Sequence, residues 1–176
     1  MKGVLFTELM AFVEQTGGAD FAEQVLEAAG MPNGGVFTTV GTYPAANALA
    51  LVDAASKLSG IPADALCRDY GHYLFDRFTE LYPKIIGGYV TAEEMLSHVG
   101  SHIHQEVTVI YPDATPPQVL TREEDGALIV EYLSHRPLAH IAYGLVSACL
   151  EHFGDPRRVE WVAGDELTSA TFRIAA

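Results

Sequence analysis

Apolar residues recur every three or four positions through most of the chain, and this spacing predicts a series of amphipathic helices. Glycines at 17 and 18 end the first helix, Asp20 caps the second, and Thr91 caps a later one. Residues 31–43 are rich in Gly, Thr and Pro and therefore predict a loop. The helices are expected over residues 4–17, 20–29, 45–59, 62–81, 91–110 and 137–153.

The hydrophobic period changes from helical to alternating after the prolines at positions 112, 116 and 117. Residues 118–124 and 127–134 flank Asp125-Gly126, a dipeptide typical of a two-residue hairpin turn. Residues 158–163 and 168–175 predict a second hairpin. The sequence therefore predicts an α+β fold, in which a helical N-terminal subdomain packs on a mixed α/β part with a small antiparallel sheet. One domain is expected over 1–176, with the helical part at about 1–60 and the α+β part at about 61–176.

Charge and hydropathy exclude several classes of partner. The chain has 176 residues and a formal net charge of −13, so it would be repelled by nucleic acid and by anionic membrane surfaces. No apolar run approaches the roughly 20 residues that span a bilayer, and the N-terminus lacks a signal peptide's long apolar core. Cys67 and Cys149 lie in apolar helical patterns and are interpreted as buried thiols. A cytoplasmic location is expected from this cysteine usage.

Tyr132, Ser134 and Arg136 are spaced two residues apart in a segment whose alternation predicts a strand. On a strand, the three side chains would share one face, where a phenol, a hydroxyl and a guanidinium would donate hydrogen bonds. A guanidinium can bind a carboxylate through two parallel hydrogen bonds. The three side chains therefore predict a binding site for an anion with more than one acidic group. From the spacing alone, an ordinary outward strand face is an equally good interpretation.

His104 lies about thirty residues before this motif, on the expected helix of residues 91–110. His102 is two positions away, and a helix turns by roughly 200° over that distance, so only one of them faces a given site. Gly100, one turn earlier, would thin the helix surface beside the imidazole for a flat, bulky ligand. Taken alone, His104 is best interpreted as a histidine of the hydrophobic core. Together with the tyrosine–serine–arginine motif, it instead predicts a site for a metal ion that is bound within an organic molecule with two negative charges. His98 and His102 lack a third ligand at a fitting spacing and are interpreted as solvent-facing.

Three stretches of the chain carry a resemblance to a known family. They are the opening Met1-Lys2-Gly3, residues 107–114 (VTVIYPDA) after a histidine, and the Tyr132-x-Ser134-x-Arg136 motif. On these residues nearly the whole chain resembles the haem–nitric oxide/oxygen-binding (H-NOX) family, which includes the haem domain of soluble guanylate cyclase.

The resemblance implies a haem site and a role for each motif residue. The family's proximal histidine precedes the tyrosine of a Tyr-Pro pair by seven residues, which implies His104 as the axial ligand of a haem b iron. Tyr132, Ser134 and Arg136 are implied to hold the haem propionates. Pro117, with Pro116 as the other candidate, is implied to press on the porphyrin. The haem is then expected to be buried between the helical part and the α+β part.

The resemblance also bears on the choice of gas. Dioxygen-binding members carry a hydrogen-bonding tyrosine nine residues after the motif tyrosine, and here that position is Ile141. Tyr143, two residues on, would point elsewhere from a helix. Leu74 corresponds to an asparagine in those members. The other pocket positions implied by the resemblance are also apolar, namely Leu5, Leu9, Phe78 and Leu145. Such a pocket predicts a sensor that binds nitric oxide, and also carbon monoxide, at ferrous haem and excludes dioxygen.

The resemblance implies a sensor rather than an enzyme. The chain ends soon after the sensor region, so its signal is expected to pass in trans to a histidine kinase, or to a diguanylate cyclase or phosphodiesterase. In that mechanism nitric oxide weakens the iron–His104 bond, and the helix that bears His104 moves. No cysteine follows Cys149, so the zinc site of some stand-alone members is not expected.

Three alternatives remain open from the sequence. Within the family, the alternative is a dioxygen-binding haem sensor. Outside it, Arg136 and Tyr132 would grip a carboxylate substrate while His104 acts as a general base in a small haem-free enzyme. A haem-free interaction module with a core histidine is the third. An absorbance spectrum distinguishes the hypotheses that include a haem from those that do not.

Overall fold

The N-terminal unit, Met1–Tyr70, is helical and follows the apolar pattern of the sequence. The structure is a computed structural model that describes the backbone of residues 1–176 and every side chain except those of Pro32 and Asn33. The helices that begin in this unit are α1 (Val4–Gly17), α2 (Ala19–Ala28), α3 (Ala45–Ser59) and α4 (Ala63–Leu81). The expected cap of α2 is wrong: Gly18 is the N-cap, and Asp20 lies in the first turn. Gly18 has a φ of 85°, a conformation that favours glycine over residues with a side chain.

The second unit, Gly71–Ala176, combines helices with one antiparallel sheet. Its further helices are α5 (Pro83–Ile86), α6 (Ala92–His98), α7 (His104–Ile110) and α8 (Ala139–His152). Its strands are β1 (Gln118–Glu124), β2 (Ala127–Leu133), β3 (Arg158–Gly164) and β4 (Ser169–Ala175). They lie in the order β1-β2-β4-β3. The expected α+β class and both hairpins are confirmed, and pairing of β2 with β4 joins the hairpins into one sheet.

The β1–β2 turn has the backbone that its sequence predicts. Asp125 and Gly126 have φ values of 51° and 74°, and positive values at both central residues define the turn that suits a two-residue hairpin. The turn sets the register in which Val119 pairs with Tyr132. On the other side of β2, Tyr132 pairs with Ala170 of β4. Tyr132 is therefore held between two strands, and its side chain is only 6% exposed.

The helix expected over residues 91–110 is interrupted. Its cap is confirmed, because the Thr91 hydroxyl accepts a hydrogen bond from the backbone N–H of Glu94 at 3.1 Å. Between α6 and α7, however, Val99–Ile103 form a π-helical turn. Such wider turns are rare and occur often at functional sites, and this one ends directly before His104. Within the described residues, no helix combines the length and apolar character needed to cross a membrane.

Candidate functional site

His104 is the first residue of α7 and lines a cavity of about 540 Å³. Burial lowers the pKa of its imidazole, whereas the nearby backbone carbonyl of Pro117 has the smaller, opposite effect. Nδ1 is buried and has no hydrogen-bond partner among the described residues, so that carbonyl lies near the ring without forming a hydrogen bond to Nδ1. The ring is therefore neutral near pH 7 and has a lone pair free to bind a metal.

Pro116 and Pro117 line the same cavity as His104. Polar side chains such as those of Ser101 and Gln105 also line it. Tyr132, Ser134 and Arg136 do not line this cavity. This cavity thus groups the imidazole with the two prolines, and the tyrosine–serine–arginine motif lies outside its lining.

His102 and His104 contact different surroundings, as their spacing predicts. The Nδ1 atom of His102 lies 2.7 Å from the Tyr89 hydroxyl. The rings of His98 and His102 both lie near Tyr89, with centroids 5.6 Å and 6.3 Å from its ring. Among the described residues, no three His, Cys, Asp or Glu side chains are grouped so that they could hold a metal ion.

Gly100 has a role beyond the expected one. A Cβ atom at this position would collide with the backbone carbonyl oxygen of Val119. The glycine therefore permits the π-helical turn to approach β1 closely, and it also lines the cavity beside His104. Val119 is the strand partner of Tyr132, so this contact ties the turn before His104 to the sheet.

The tyrosine–serine–arginine motif does not lie along one strand face, contrary to the expectation from its spacing. β2 ends at Leu133, and Ser134 and Arg136 lie in the bend that follows. The bend is held by hydrogen bonds, since the backbone N–H of Ser134 donates to the Thr168 carbonyl at 2.8 Å. The backbone N–H of Arg136 donates to the Ser134 hydroxyl at 3.0 Å. The bend thus brings the three polar groups together by a route other than strand alternation.

The pKa of the Tyr132 phenol depends on both of the other residues of the motif. Burial raises the pKa of its phenol, whereas a hydrogen bond with the Ser134 side chain and the charge of Arg136 lower it. Burial is the largest of these effects, so the phenol stays protonated and can donate a hydrogen bond near neutral pH. Ser134 and Arg136 are half-buried. The three form a cluster of donors with a positive charge at its edge.

Arg136 also contacts the segment between α7 and β1. Its Nη1 and Nη2 atoms donate to the carbonyl and hydroxyl oxygens of Thr115, at 2.9 Å and 2.6 Å. A guanidinium has five N–H donors, so three are left for an anion. Thr115 is two residues before Pro117, and the contact therefore links the donor cluster to the proline segment. The sequence offers no signal for this partner, because an exposed threonine in a proline-rich loop is ordinary.

The residues expected around a bound gas lie on three helices. Leu74 of α4 is 1% exposed, and Phe78 on the same helix is half-buried. Ile141 and Leu145 of α8 are half-buried. A Cβ at Gly71 would collide with the carbonyl oxygen of Ile141, so α4 and α8 cross closely at this glycine.

The two expected pocket residues of the N-terminal unit lie on α1. Leu9 is buried, and Leu5 is half-buried. The carbonyl of Leu5 accepts a hydrogen bond from the Tyr70 hydroxyl at 2.5 Å. This bond connects the backbone of α1 at Leu5 to Tyr70, the last residue of the N-terminal unit.

Tyr143 is engaged away from Ile141. Its hydroxyl donates to the Val159 carbonyl of β3 at 3.2 Å. Its ring stacks on Trp161 and meets Phe172 edge-on. The phenol is thus directed to the sheet, in agreement with the expectation that Tyr143 does not replace a tyrosine at position 141.

The cysteines behave as unreactive thiols. Cys149 is buried and Cys67 is half-buried, and both are free. Burial raises the pKa of Cys149 to about 12 and that of Cys67 to about 11. Both thiols therefore stay protonated near neutral pH, which makes them poor nucleophiles and metal ligands.

Comparisons with known proteins agree with this architecture. A family model described as Haem-NO-binding matches residues 2–161. A point mutant of the Fe(II) unliganded H-NOX protein from K. algicida is 31% identical over 99% of this chain and 95% of that chain, with a TM-score of 0.89. The S. oneidensis H-NOX protein in the Fe(II)NO ligation state is 19% identical over 99% of this chain and 98% of that chain, with a TM-score of 0.88.

A mutant of the T. tengcongensis H-NOX protein is 21% identical over 99% of this chain and 96% of that chain, with a TM-score of 0.86. At such identities the S. oneidensis and T. tengcongensis structures are informative about the fold alone. A comparison with curated proteins found no match.

Proposed function

Because this chain belongs to the Haem-NO-binding (H-NOX) family of haem-binding gas sensors, we propose that it senses nitric oxide at a ferrous haem b and excludes dioxygen. The observation that carries the proposal is the neutral imidazole of His104 with its unpaired Nδ1 atom. Carbon monoxide, which also needs no hydrogen-bond donor, is expected to bind as well.

The residues present fit a haem better than a bare metal ion. A porphyrin supplies four nitrogen ligands, so the iron needs one axial ligand from the protein, and a histidine is a common choice. His104 is such a ligand, and the described residues offer no cluster of three that would hold an ion without a porphyrin. In the proposal, His104 ligates the iron, and Pro117, or Pro116 beside it, presses on the porphyrin.

In the proposal, Tyr132, Ser134 and Arg136 hold the two haem propionates. Support comes from their grouping at the end of β2 and from the three guanidinium donors of Arg136 that Thr115 leaves free. A guanidinium binds a carboxylate through two parallel hydrogen bonds, so Arg136 is the strongest of the three contacts.

Arg136→Ala is expected to weaken haem retention by roughly 10- to 100-fold, since a hydrogen bond to a charged group contributes about 1.5–3 kcal/mol. The measurement is the rate of haem transfer to excess apomyoglobin. Arg122→Ala is the matched control, because Arg122 lies on β1 and pairs with Glu124 and Glu131 at the surface. Equal rates for the two variants would contradict the assignment of Arg136.

The choice of gas is proposed to depend on apolar side chains. Bound dioxygen carries partial negative charge and needs a nearby donor, whereas nitric oxide binds without one. Leu74, Phe78, Ile141 and Leu145 offer no such donor, and the phenol of Tyr143 is committed to Val159. Leu5 and Leu9 of α1 are proposed to complete the apolar surface.

The signal is proposed to leave through the helix that carries His104. When bound, haem would supply a ferrous iron that can take up a diatomic gas. His104 would hold this iron, and loss of that hold would free α7 to shift at the π-helical turn, where the α-helical hydrogen-bond pattern already changes. The proposed receiver is a separate cytoplasmic protein, either a histidine kinase or a diguanylate cyclase or phosphodiesterase.

The absorbance spectrum of the purified protein tests this function. We expect a strong Soret band, a shift of that band when nitric oxide is added to the ferrous protein, and no stable oxy spectrum in air. Protein that stays colourless after reconstitution with hemin would exclude haem sensing. A stable oxy spectrum would instead favour the dioxygen-binding alternative.

A further inference from the structure

The two helical segments on either side of the π-helical turn are held very differently. α6 places three apolar side chains in the core, those of Ala92, Met95 and Leu96. The Glu93 carboxylate of α6 also accepts a hydrogen bond from Arg157 at 3.0 Å. In contrast, none of the seven described residues of α7 is fully buried, and Val109 is 73% exposed. The segment that carries His104 therefore has little core packing of its own.

The far end of α7 is fastened by two tyrosine hydroxyls. Tyr111 directly follows α7, and its hydroxyl lies 3.1 Å from that of Tyr82. Tyr82 directly follows α4, and its ring centroid lies 5.8 Å from that of Phe78 on the same helix. Both tyrosines are half-buried. The hydroxyl pair thus connects the end of the His104 segment to the end of α4.

We propose that Tyr82 and Tyr111 are positioning residues whose hydroxyl pair is a latch that resists displacement of α7. The latch sets how readily His104 leaves the haem iron, and this part of the inference rests on the proposed function. Tyr82 and Tyr111 themselves touch neither the gas nor the iron in this proposal. They act through the helix that carries the ligand.

The latch lies at the end of α7 farthest from the π-helical turn. At its other end, α7 adjoins the π-helical turn, where Gly100 packs against the Val119 carbonyl. A shift of α7 about this turn moves its far end the most, so the hydroxyl pair at Tyr111 opens first. Because α7 buries so little apolar surface, loss of this hydrogen bond is expected to loosen it measurably.

Hydrogen exchange of the purified protein tests the latch. Tyr82→Phe and Tyr111→Phe are each expected to raise the exchange of the residue 104–110 amides by about fivefold, equivalent to loss of one neutral hydrogen bond of about 1 kcal/mol. The effect of the double variant is expected to be smaller than the sum of the two single effects, because both substitutions remove the shared bond. In stopped-flow absorbance, the ferrous variants are expected to lose the iron–His104 bond about fivefold faster after nitric oxide is added.

Tyr143→Phe is the matched control, because it removes a phenol hydrogen bond to Val159 within the same unit but away from α7. It is expected to leave exchange in residues 104–110 unchanged. Unchanged exchange in Tyr82→Phe and Tyr111→Phe, or an equal rise in α8 and β2, would overturn the latch. If the wild-type protein has no Soret band, the proposed function fails, while the exchange measurement still decides whether the latch exists.

Discussion

His104→Ala is expected to remove the Soret band from the purified protein, and added imidazole is expected to restore it. In the proposed function this side chain is the protein's single ligand to the iron. Loss of even an outer-shell partner of a metal ligand costs about 10- to 100-fold in metal affinity, so loss of the ligand itself is expected to exceed about 100-fold. The measurement is haem content per protein after purification, with and without imidazole.

His102→Ala is the control for this result. The two histidines are separated by one residue, but the His102 Nδ1 atom contacts the Tyr89 hydroxyl, and His104 lines the cavity with Pro117. His102→Ala is therefore expected to keep its haem. Haem-free His104→Ala is expected to lose no more than about 1 kcal/mol of unfolding free energy, because Nδ1 has no hydrogen bond to lose. Retained haem in His104→Ala with loss in His102→Ala would reverse the assignment.

Ile141→Tyr is expected to convert the ferrous protein into one that forms a stable oxy complex in air. A phenol at this position would donate a hydrogen bond to bound dioxygen, which carries partial negative charge. A hydrogen bond to a charged group contributes about 1.5–3 kcal/mol, so dioxygen dissociation is expected to slow by roughly 10- to 100-fold. Flash photolysis or stopped-flow absorbance measures this rate.

Ile141→Phe separates the hydroxyl from the bulk of the ring. Ile141 lies where α4 and α8 cross closely at Gly71, so a larger side chain here has to displace neighbours in either variant. Only Ile141→Tyr is expected to form the oxy complex. If the two variants behave alike, the hydroxyl is not the deciding group, and the proposed basis for excluding dioxygen is wrong.

Much of the helical architecture could be read from local patterns. The apolar period predicted α1, α3 and α4, and Thr91 capped α6 as expected. These features depend on residues within one or two turns of each other, so their causes are visible in a short stretch of sequence. The Asp125-Gly126 hairpin is predictable for the same reason.

The donor cluster shows where a local pattern grouped residues that the structure also groups, but for a different reason. The spacing of Tyr132, Ser134 and Arg136 predicted one strand face, but the strand ends at Leu133 and a bend groups them instead. The bend is stabilised by the Thr168 carbonyl, more than thirty residues away along the chain. Strand ends set by such distant partners cannot be read from alternation alone.

The helix pattern, the hairpin turns and the charge all follow from the sequence, and its motifs suggest the candidate roles of His104, Tyr132, Ser134 and Arg136. Three features become visible only in the folded chain: the π-helical turn before His104, the Gly100–Val119 contact and the Tyr82–Tyr111 hydroxyl pair. The Gly100–Val119 contact and the Tyr82–Tyr111 pair each join residues that are far apart in the chain. The sequence around one residue therefore does not indicate which residue it will contact. Helical periodicity depends on residues that are close in the sequence. The stability of a helix within the fold depends on the residues that the rest of the chain packs against it.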